Sequence, residues 1–158
     1  MSKSKGNPKT VLSQLGFSDQ RTPRTGSLNP PSSQDSHPTF SFKHIDRENR
    51  EEWAWPESDG IKEIVDFLCT ISNSTWKELR THSTGSGIRR PLHHSQPFDS
   101  LPTKTQNLII QLHLNEIFED LFRFRLGGRK RLWGFLHNGI FYILWWDPEH
   151  KVYPLENE

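Results

Sequence analysis

The stretch FRFRLGGRKRLWGFLHNGIFYILWWDPEHKVY, residues Phe122–Tyr153, decides the fold. Three strands are predicted within it: Phe122–Leu126, Arg131–Leu136 and Ile140–Trp146. Gly127-Gly128 separates the first two strands, and His137-Asn138-Gly139 separates the last two. Asn-Gly is a strong hairpin signal, because both central residues of a type I′ turn need positive φ and these two tolerate it best. The stretch therefore predicts an antiparallel three-strand meander.

The last of these strands is apolar on both sides. Because strand side chains alternate between faces, the sequence predicts two sets: Phe141, Ile143 and Trp145 on one face, and Tyr142, Leu144 and Trp146 on the other. This composition predicts a central strand that is covered on both faces. Asp147-Pro148 ends the strand, since proline removes a hydrogen-bond donor from the ladder.

The front of the folded region predicts a strand and two helices. Apolar and polar residues alternate from Thr39 to Ile45, which is typical of a half-buried strand. Ser58 or Asp59 then offers an N-cap to an amphipathic helix that ends near Ile71. Thr75-Trp76-Lys77-Glu78 has the spacing of a capping box, which predicts a second, shorter helix.

The chain between the second helix and the meander gives weaker signals. Pro97, Asp99 and Pro102 indicate a loop from Ser95 to Lys104. The apolar segment Asn107–Leu114 fits either a strand or a buried turn of helix, because periodicity alone does not separate the two. The predicted fold class is α+β, with two N-terminal helices packed on a mainly antiparallel sheet that ends in the three-strand meander.

Composition divides the chain in two. Residues 1–38 are mostly polar, with five basic and two acidic side chains, which predicts a disordered basic arm. Residues 39–158 are predicted to form the folded domain. No apolar run approaches the roughly 20 residues that span a bilayer, and nothing resembles a secretory signal, so we expect a soluble cytoplasmic protein without membrane contact. The single cysteine, Cys69, suits a reducing compartment and is expected to be buried.

A dense group of basic residues lies within the meander. Five basic side chains and no acidic one occur between Leu121 and Trp146: Arg123, Arg125, Arg129, Lys130 and Arg131. Arg123 and Arg125 alternate with apolar residues, so a strand would hold them in a row that faces away from the core. Such a row attracts phosphate backbones through counterion release. The alternative is a solvated strand face whose charges only prevent edge-to-edge pairing.

Two further ionisable side chains, His150 and Tyr153, follow the last predicted strand. Histidine titrates nearest neutral pH and can accept or donate a proton there. Alternatively, Asp147 and His150 only complete the turn, and Tyr153 packs at the sheet edge. A second basic group, Arg89-Arg90-Pro91-Leu92-His93-His94, is not placed relative to the sheet by the sequence. No metal-ligand spacing or nucleotide motif is recognised, so we expect neither a metal nor a cofactor.

The order of predicted elements resembles that of the RelE/ParE-like toxin superfamily of bacterial toxin–antitoxin systems. In both, two helices follow the first strand and a basic meander ends the domain. Two strings, Arg131-Leu132-Trp133-Gly134-Phe135 and Phe141-Tyr142-Ile143-Leu144-Trp145-Trp146-Asp147-Pro148-Glu149-His150, are also similar to a family of small bacterial proteins. The resemblance extends from Phe40 to Pro154, and it is one of element order over most of that length.

RelE-like toxins cut messenger RNA, usually on the ribosome, whereas ParE-like toxins act on DNA gyrase, and a cognate antitoxin inhibits both. In the RNA-cleaving branch the substrate's own 2′-hydroxyl attacks the neighbouring phosphate. The resemblance therefore implies an endoribonuclease whose partners are an antitoxin and RNA or the ribosome. Residue types that suit this chemistry are present in the chain. The residues expected to bind nucleic acid are Arg123, Arg125, Arg129 and Lys130. The residues expected to be catalytic are Arg131, His150 and Tyr153.

Two other functions are open on the same fold. One is a non-catalytic module that poisons or regulates a protein partner through a tryptophan-rich surface. Trp53 and Trp55, in an acidic loop, are the candidates for that surface, whereas the remaining tryptophans are expected in the core. The other is an accessory of a mobile element that binds nucleic acid without cutting it.

Overall fold

The computed structural model describes residues 34–83 and 91–154. The elements are, in chain order, β1 (Thr39–Ser41), α1 (Ser58–Ile71), α2 (Trp76–Thr81), β2 (His94–Pro97), a single turn of 3-10 helix (Phe98–Ser100), α3 (Thr103–Gln111), β3 (Asp120–Gly127), β4 (Lys130–His137) and β5 (Ile140–Asp147). The strands form one sheet in the order β1-β5-β4-β3-β2. Residues 1–33 of the predicted arm lie outside the described residues.

The fold is α+β, and its sheet is mixed. β1 pairs with β5 in parallel, whereas the other neighbouring strands are antiparallel. The two helices predicted after the first strand are present as α1 and α2, but they are not N-terminal, and a third helix, α3, follows β2 in the described residues. The third helix, α3, includes most of Asn107–Leu114, the segment whose sequence fitted either a strand or a helix.

The three-strand meander of β3, β4 and β5 is confirmed. Its second turn has φ of 50° at Asn138 and 77° at Gly139, as a type I′ hairpin requires. The loop predicted from Ser95 was wrong, because β2 pairs with β3 and puts a fourth antiparallel strand beside the meander. Pro97 ends β2 at the edge of the sheet, where a missing donor is tolerated.

β5 does not keep the predicted alternation of faces. Its pairing with β4 shifts at Leu144, which is an extra residue in the strand, a β-bulge. Leu144 and Trp145 consequently lie in one core cluster, and Trp146 joins Phe141 and Ile143 in the other. The predicted faces were therefore wrong for the two tryptophans, since a period of two does not continue through an inserted residue.

Both faces of the sheet are covered. On one, the α1 face, helices α1 and α2 pack against the sheet through residues that include Ile64, Leu68, Trp76, Leu79, Phe122, Phe124, Leu132 and Phe141. On the other, the α3 face, helix α3 and the segment after β5 pack through residues that include Ile109, Leu121, Trp133, Phe135, Trp145 and Val152. The arginines that alternate with Phe122 and Phe124 on β3 must therefore share the α3 face with a core.

The start of α2 is fixed by two kinds of cap. The predicted capping box between Thr75 and Glu78 is present. In addition, the carbonyl of Ser36 accepts a hydrogen bond from the Trp76 N–H at 3.0 Å, and that of Gln34 accepts one from the Lys77 N–H at 2.8 Å. The chain just before β1 is therefore tied to α2.

Two smaller predictions about α1 were wrong. The helix begins after Glu57, and no side chain caps it, so neither Ser58 nor Asp59 has the predicted role. Cys69 is exposed rather than buried. Within residues 34–83 and 91–154, no helix combines the length and apolarity needed to cross a membrane.

Candidate functional site

Strand register brings the predicted site residues together in two adjacent rows across the sheet. In the first row, His94 of β2 lies opposite Arg123 of β3, which lies opposite Trp133 of β4. In the second row, Arg125 lies opposite Arg131, which lies opposite Asp147. We call Arg123, Arg125 and Arg131 the arginine cluster. Like charges directly opposite each other destabilise a sheet, so this arrangement is one that folding alone would not favour.

Arg123 lies between two imidazoles. Its Nε and Nη2 donate to Nε2 of His94 at 3.1 and 2.7 Å, and its Nη1 lies 3.0 Å from Nε2 of His150. Because a guanidinium can only donate, each imidazole accepts through Nε2 and is neutral, with its proton on Nδ1. His94 completes this pattern by donating from Nδ1 to the carbonyl of Ser95 at 3.1 Å. The guanidinium also lies over the Trp133 ring, 5.8 Å from its centroid.

Arg131 is the most deeply buried member of the cluster, with 6% of its surface exposed. Its Nη1 donates to the carbonyls of Gly128 and Lys130, both at 2.9 Å. Its Nε is buried and has no hydrogen-bond partner among the described residues. Burial, together with the charges of Arg123 and Arg125, lowers the pKa of Arg131 to about 10. It remains a cation at neutral pH, with a donor to spare.

Asp147 organises the turn after β5. It is fully buried, and its carboxylate accepts hydrogen bonds from Trp133 Nε1 at 3.1 Å and from the backbone N–H groups of Lys151 and Val152 at 2.8 and 3.0 Å. Burial raises its pKa, and these donors oppose that rise. Asp147 therefore completes the turn, as the structural alternative expected, while the same turn presents His150 to Arg123.

The neutral state of both histidines is favoured by their surroundings. Burial, reinforced by the charges of Arg131 and Arg123, lowers the pKa of His150 to about 4. Burial and the charge of Arg123 also lower the pKa of His94. The arginine cluster is therefore flanked by uncharged hydrogen-bond acceptors. At neutral pH the positive charge comes from the arginines, and the imidazoles add none.

The remaining predicted site residues divide between the two faces. Tyr153 is partly buried against the α3-face core, and its phenolate form would raise the pKa of Arg123, which places it near the cluster. Arg129 is exposed in the β3–β4 turn, and its charge lowers the pKa of His150. Lys130 does not join them, because it lies 2.7 Å from Glu63 of α1, on the opposite face.

His93 and His94 were not predicted as site residues, although both belong to the second basic group of the sequence. His93 is buried, and its Nδ1 accepts a hydrogen bond from the backbone N–H of Arg125 at 3.2 Å. Adjacent histidines after Pro91 were the available signal, but only the pairing of β2 with β3 gives them a position. Arg89 and Arg90 of the same basic group lie outside the described residues.

The structure of residues 34–83 and 91–154 shows no tryptophan-rich surface. Trp53 is buried in the α3-face core, which makes its predicted role in a partner-binding loop wrong. Trp55 is partly buried against the other core cluster. The remaining four tryptophans are buried, as expected: Trp76, Trp133, Trp145 and Trp146.

Acid should destabilise the protein between pH 6.5 and pH 4. The pKa values of His93 and His150 fall to about 4 in the folded chain, from 6.5. The unfolded chain therefore binds more protons than the folded chain in this window. The stability that these two groups contribute is fully present above pH 6.5 and is lost as the pH falls toward 4. We expect these two side chains to take up about two protons when the protein unfolds near pH 5.

Urea unfolding at a series of pH values measures this uptake. A His150→Asn variant keeps a residue that tolerates the positive φ of 61° at this position and removes the titrating group. The uptake should then fall by about one proton. An unchanged uptake in the variant would show that His150 does not titrate in this window.

Comparison of the chain with protein-family models, with curated proteins and with solved structures gave no match.

Proposed function

We propose that the protein is a cytoplasmic, RNA-cleaving toxin of the RelE-like kind, restrained by a cognate antitoxin. In this proposal the arginine cluster binds the phosphate at which the RNA is cut. The observation that carries it is the convergence of three guanidinium groups and two neutral imidazoles at one place on the sheet. Arginine suits phosphate because its planar fork donates two parallel hydrogen bonds.

Within the part of the chain that the structure describes, the cluster lacks the carboxylate partners of a structural ion-pair network. Lys62, Lys104 and Lys130 each have a carboxylate within 4 Å. No member of the cluster has such a pair among the described residues, and Asp147 is the acidic group whose charge acts on Arg123 and Arg131. A phosphate would supply the missing negative charge.

A bound phosphodiester would also change the state of His150. Its negative charge offsets the repulsion by Arg131 and Arg123 that lowers the pKa of this imidazole. His150 then accepts the proton of the 2′-hydroxyl as the 2′-oxygen forms a bond to phosphorus. The cluster stabilises the charge that develops on the phosphorane oxygens.

Tyr153 is the donor in the second half of the reaction. The bond between phosphorus and the 5′-oxygen breaks, and the phenol gives its proton to that oxygen. The products are a 2′,3′-cyclic phosphate and a 5′-hydroxyl. Transfer of the proton from His150 to the phenolate returns both residues to their starting forms. Arg123 lies near both side chains.

Non-catalytic RNA binding is the second candidate, and the state of His150 favours it. In the unliganded protein Nε2 of this residue already accepts a hydrogen bond from Arg123. A histidine with a pKa of about 4 is also a weak base at neutral pH. In this version the cluster holds RNA without cutting it, as an accessory of a mobile element would.

RNA end mapping on the purified protein, with and without ribosomes, separates the two candidates. We expect cleavage that leaves cyclic phosphate ends and that a single 2′-deoxy substitution at the cut site prevents. The variants Arg125→Gln and His150→Asn should lose it, whereas Arg80→Gln, on the exposed side of α2, should not. RNA that is bound but intact would support the second candidate, and no binding at low salt would contradict both.

A further inference from the structure

The charges of the site do not balance. The arginine cluster carries three positive charges, the buried Asp147 carries one negative charge, and both flanking imidazoles are neutral, which leaves a net charge of +2. The site that carries this charge is partly buried, since Arg131 and His150 are each only 6% exposed. Water screens such groups less than it screens surface charges, so the imbalance favours an anion as ligand.

Hydrogen-bond donors are also in excess. Arg123 has five N–H bonds, and the imidazoles accept three of them, which leaves one on each terminal nitrogen. The buried Nε of Arg131 has no partner among the described residues. Within the same residues the guanidinium of Arg125 makes neither a hydrogen bond nor an ion pair. Spare donors from all three arginines therefore lie on one face of the sheet, in two adjacent rows of the register.

We infer that the arginine cluster selects a phosphate group with two negative charges, the terminal phosphate of an RNA strand, over a singly charged phosphodiester. Two charges neutralise the site, whereas one charge leaves a partly buried cation uncompensated. A terminal phosphate also has three unsubstituted oxygens for the spare donors. A phosphodiester has only two unsubstituted oxygens. The RNA strand also continues from its second ester oxygen, so the site would need an opening for that strand.

The inference rests on the proposal that the cluster binds phosphate, and it deepens that proposal. An internal phosphodiester gains its second negative charge only as the 2′-oxygen attacks. A site that prefers two charges would therefore bind the phosphorane more tightly than the substrate, which is the condition for catalysis. The cleaved end would also be retained once water hydrolyses one P–O bond of its cyclic phosphate to give a monoester.

Paired anions that differ in charge test the selection without RNA chemistry. Binding of sulfate and methyl sulfate, and of methyl phosphate and dimethyl phosphate, is followed by NMR titration of the full-length protein at neutral pH. We expect the doubly charged member of each pair to bind at least about tenfold more tightly, the order expected for one more charge-assisted contact. Equal affinities would overturn the inference, even if the protein cleaves RNA.

Terminal phosphate is separated from free anion by short 2′-O-methyl RNA, which cannot be cleaved. An oligonucleotide with a 3′-phosphate should bind about tenfold more tightly than the same strand with a 3′-hydroxyl. Arg125→Gln should abolish this difference, and Arg80→Gln should keep it. If both strands bind equally while RNA cleavage is intact, the terminal-phosphate inference fails and the proposed function survives.

Discussion

Arg123→Lys is expected to reduce RNA cleavage about 100-fold, the order seen when one donor to a developing oxyanion is lost. Lysine keeps the positive charge but has no planar fork. Its single nitrogen cannot replace the three separate nitrogens through which Arg123 contacts Nε2 of His94 and Nε2 of His150 at 2.7–3.1 Å. The variant therefore loses the hydrogen-bond geometry of the site but keeps its charge. A surface that binds RNA by charge alone would tolerate this exchange.

The measurement combines single-turnover cleavage with RNA binding at two salt concentrations. If Arg123 only adds charge, the lysine variant should keep the affinity, the salt dependence and the cleavage rate of the original protein. That result would contradict a role for the planar guanidinium. Arg80→Lys is the matched control, because it makes the same exchange at an exposed position on α2. Urea unfolding of both variants shows whether a loss of activity reflects a loss of fold.

Gly134→Ala is expected to lower the free energy of unfolding by about 3 kcal/mol, at the upper end for overpacking of a core. A Cβ atom at Gly134 would lie 2.1 Å from the carbonyl oxygen of Tyr142 and 2.8 Å from the Phe141 ring. Backbone cannot give way as a flexible side chain does. The position is opposite the bulge in β5, so any relief must alter the register that sets Trp145 and Asp147.

Thermal unfolding should show a fall in Tm of about 10 °C for this variant. Gly128→Ala is the control. Nothing lies within 4 Å of a Cβ there, and its φ of 48° alone should cost about 1 kcal/mol. If the two variants unfold at the same temperature, the close approach at Gly134 does not contribute to the free energy of unfolding.

The meander was predictable because its signals are local. Asn138-Gly139 sets the second turn, and apolar and basic residues alternate from Phe122 to Leu126 in β3. The bulge at Leu144 was not predictable, since every residue around it is apolar and an inserted one leaves no mark on the pattern. β2 was missed for a different reason: four residues that end in proline form a strand only because β3 provides the partner.

The candidate site was predictable in its residue types but not in its burial. Alternation correctly put Arg123 and Arg125 on one face of β3, yet the row does not face away from the core as predicted. α3 and the segment after β5 cover that face, and nothing near Arg123 in the sequence indicates their position. The contact of Arg123 with His94 joins residues that are 29 positions apart, which no local pattern encodes.

The hydrogen bonds that Gln34 and Ser36 accept from α2 limit how far the front of the chain can be trimmed. A protein that starts at Gln34 keeps both acceptors, whereas one that starts at Thr39 leaves the Trp76 and Lys77 N–H groups exposed to solvent. The indole of Trp76 donates to the carbonyl of Gly139, the same oxygen that receives the Thr39 N–H. Trimming beyond Gln34 would thus loosen a hairpin more than 100 residues downstream.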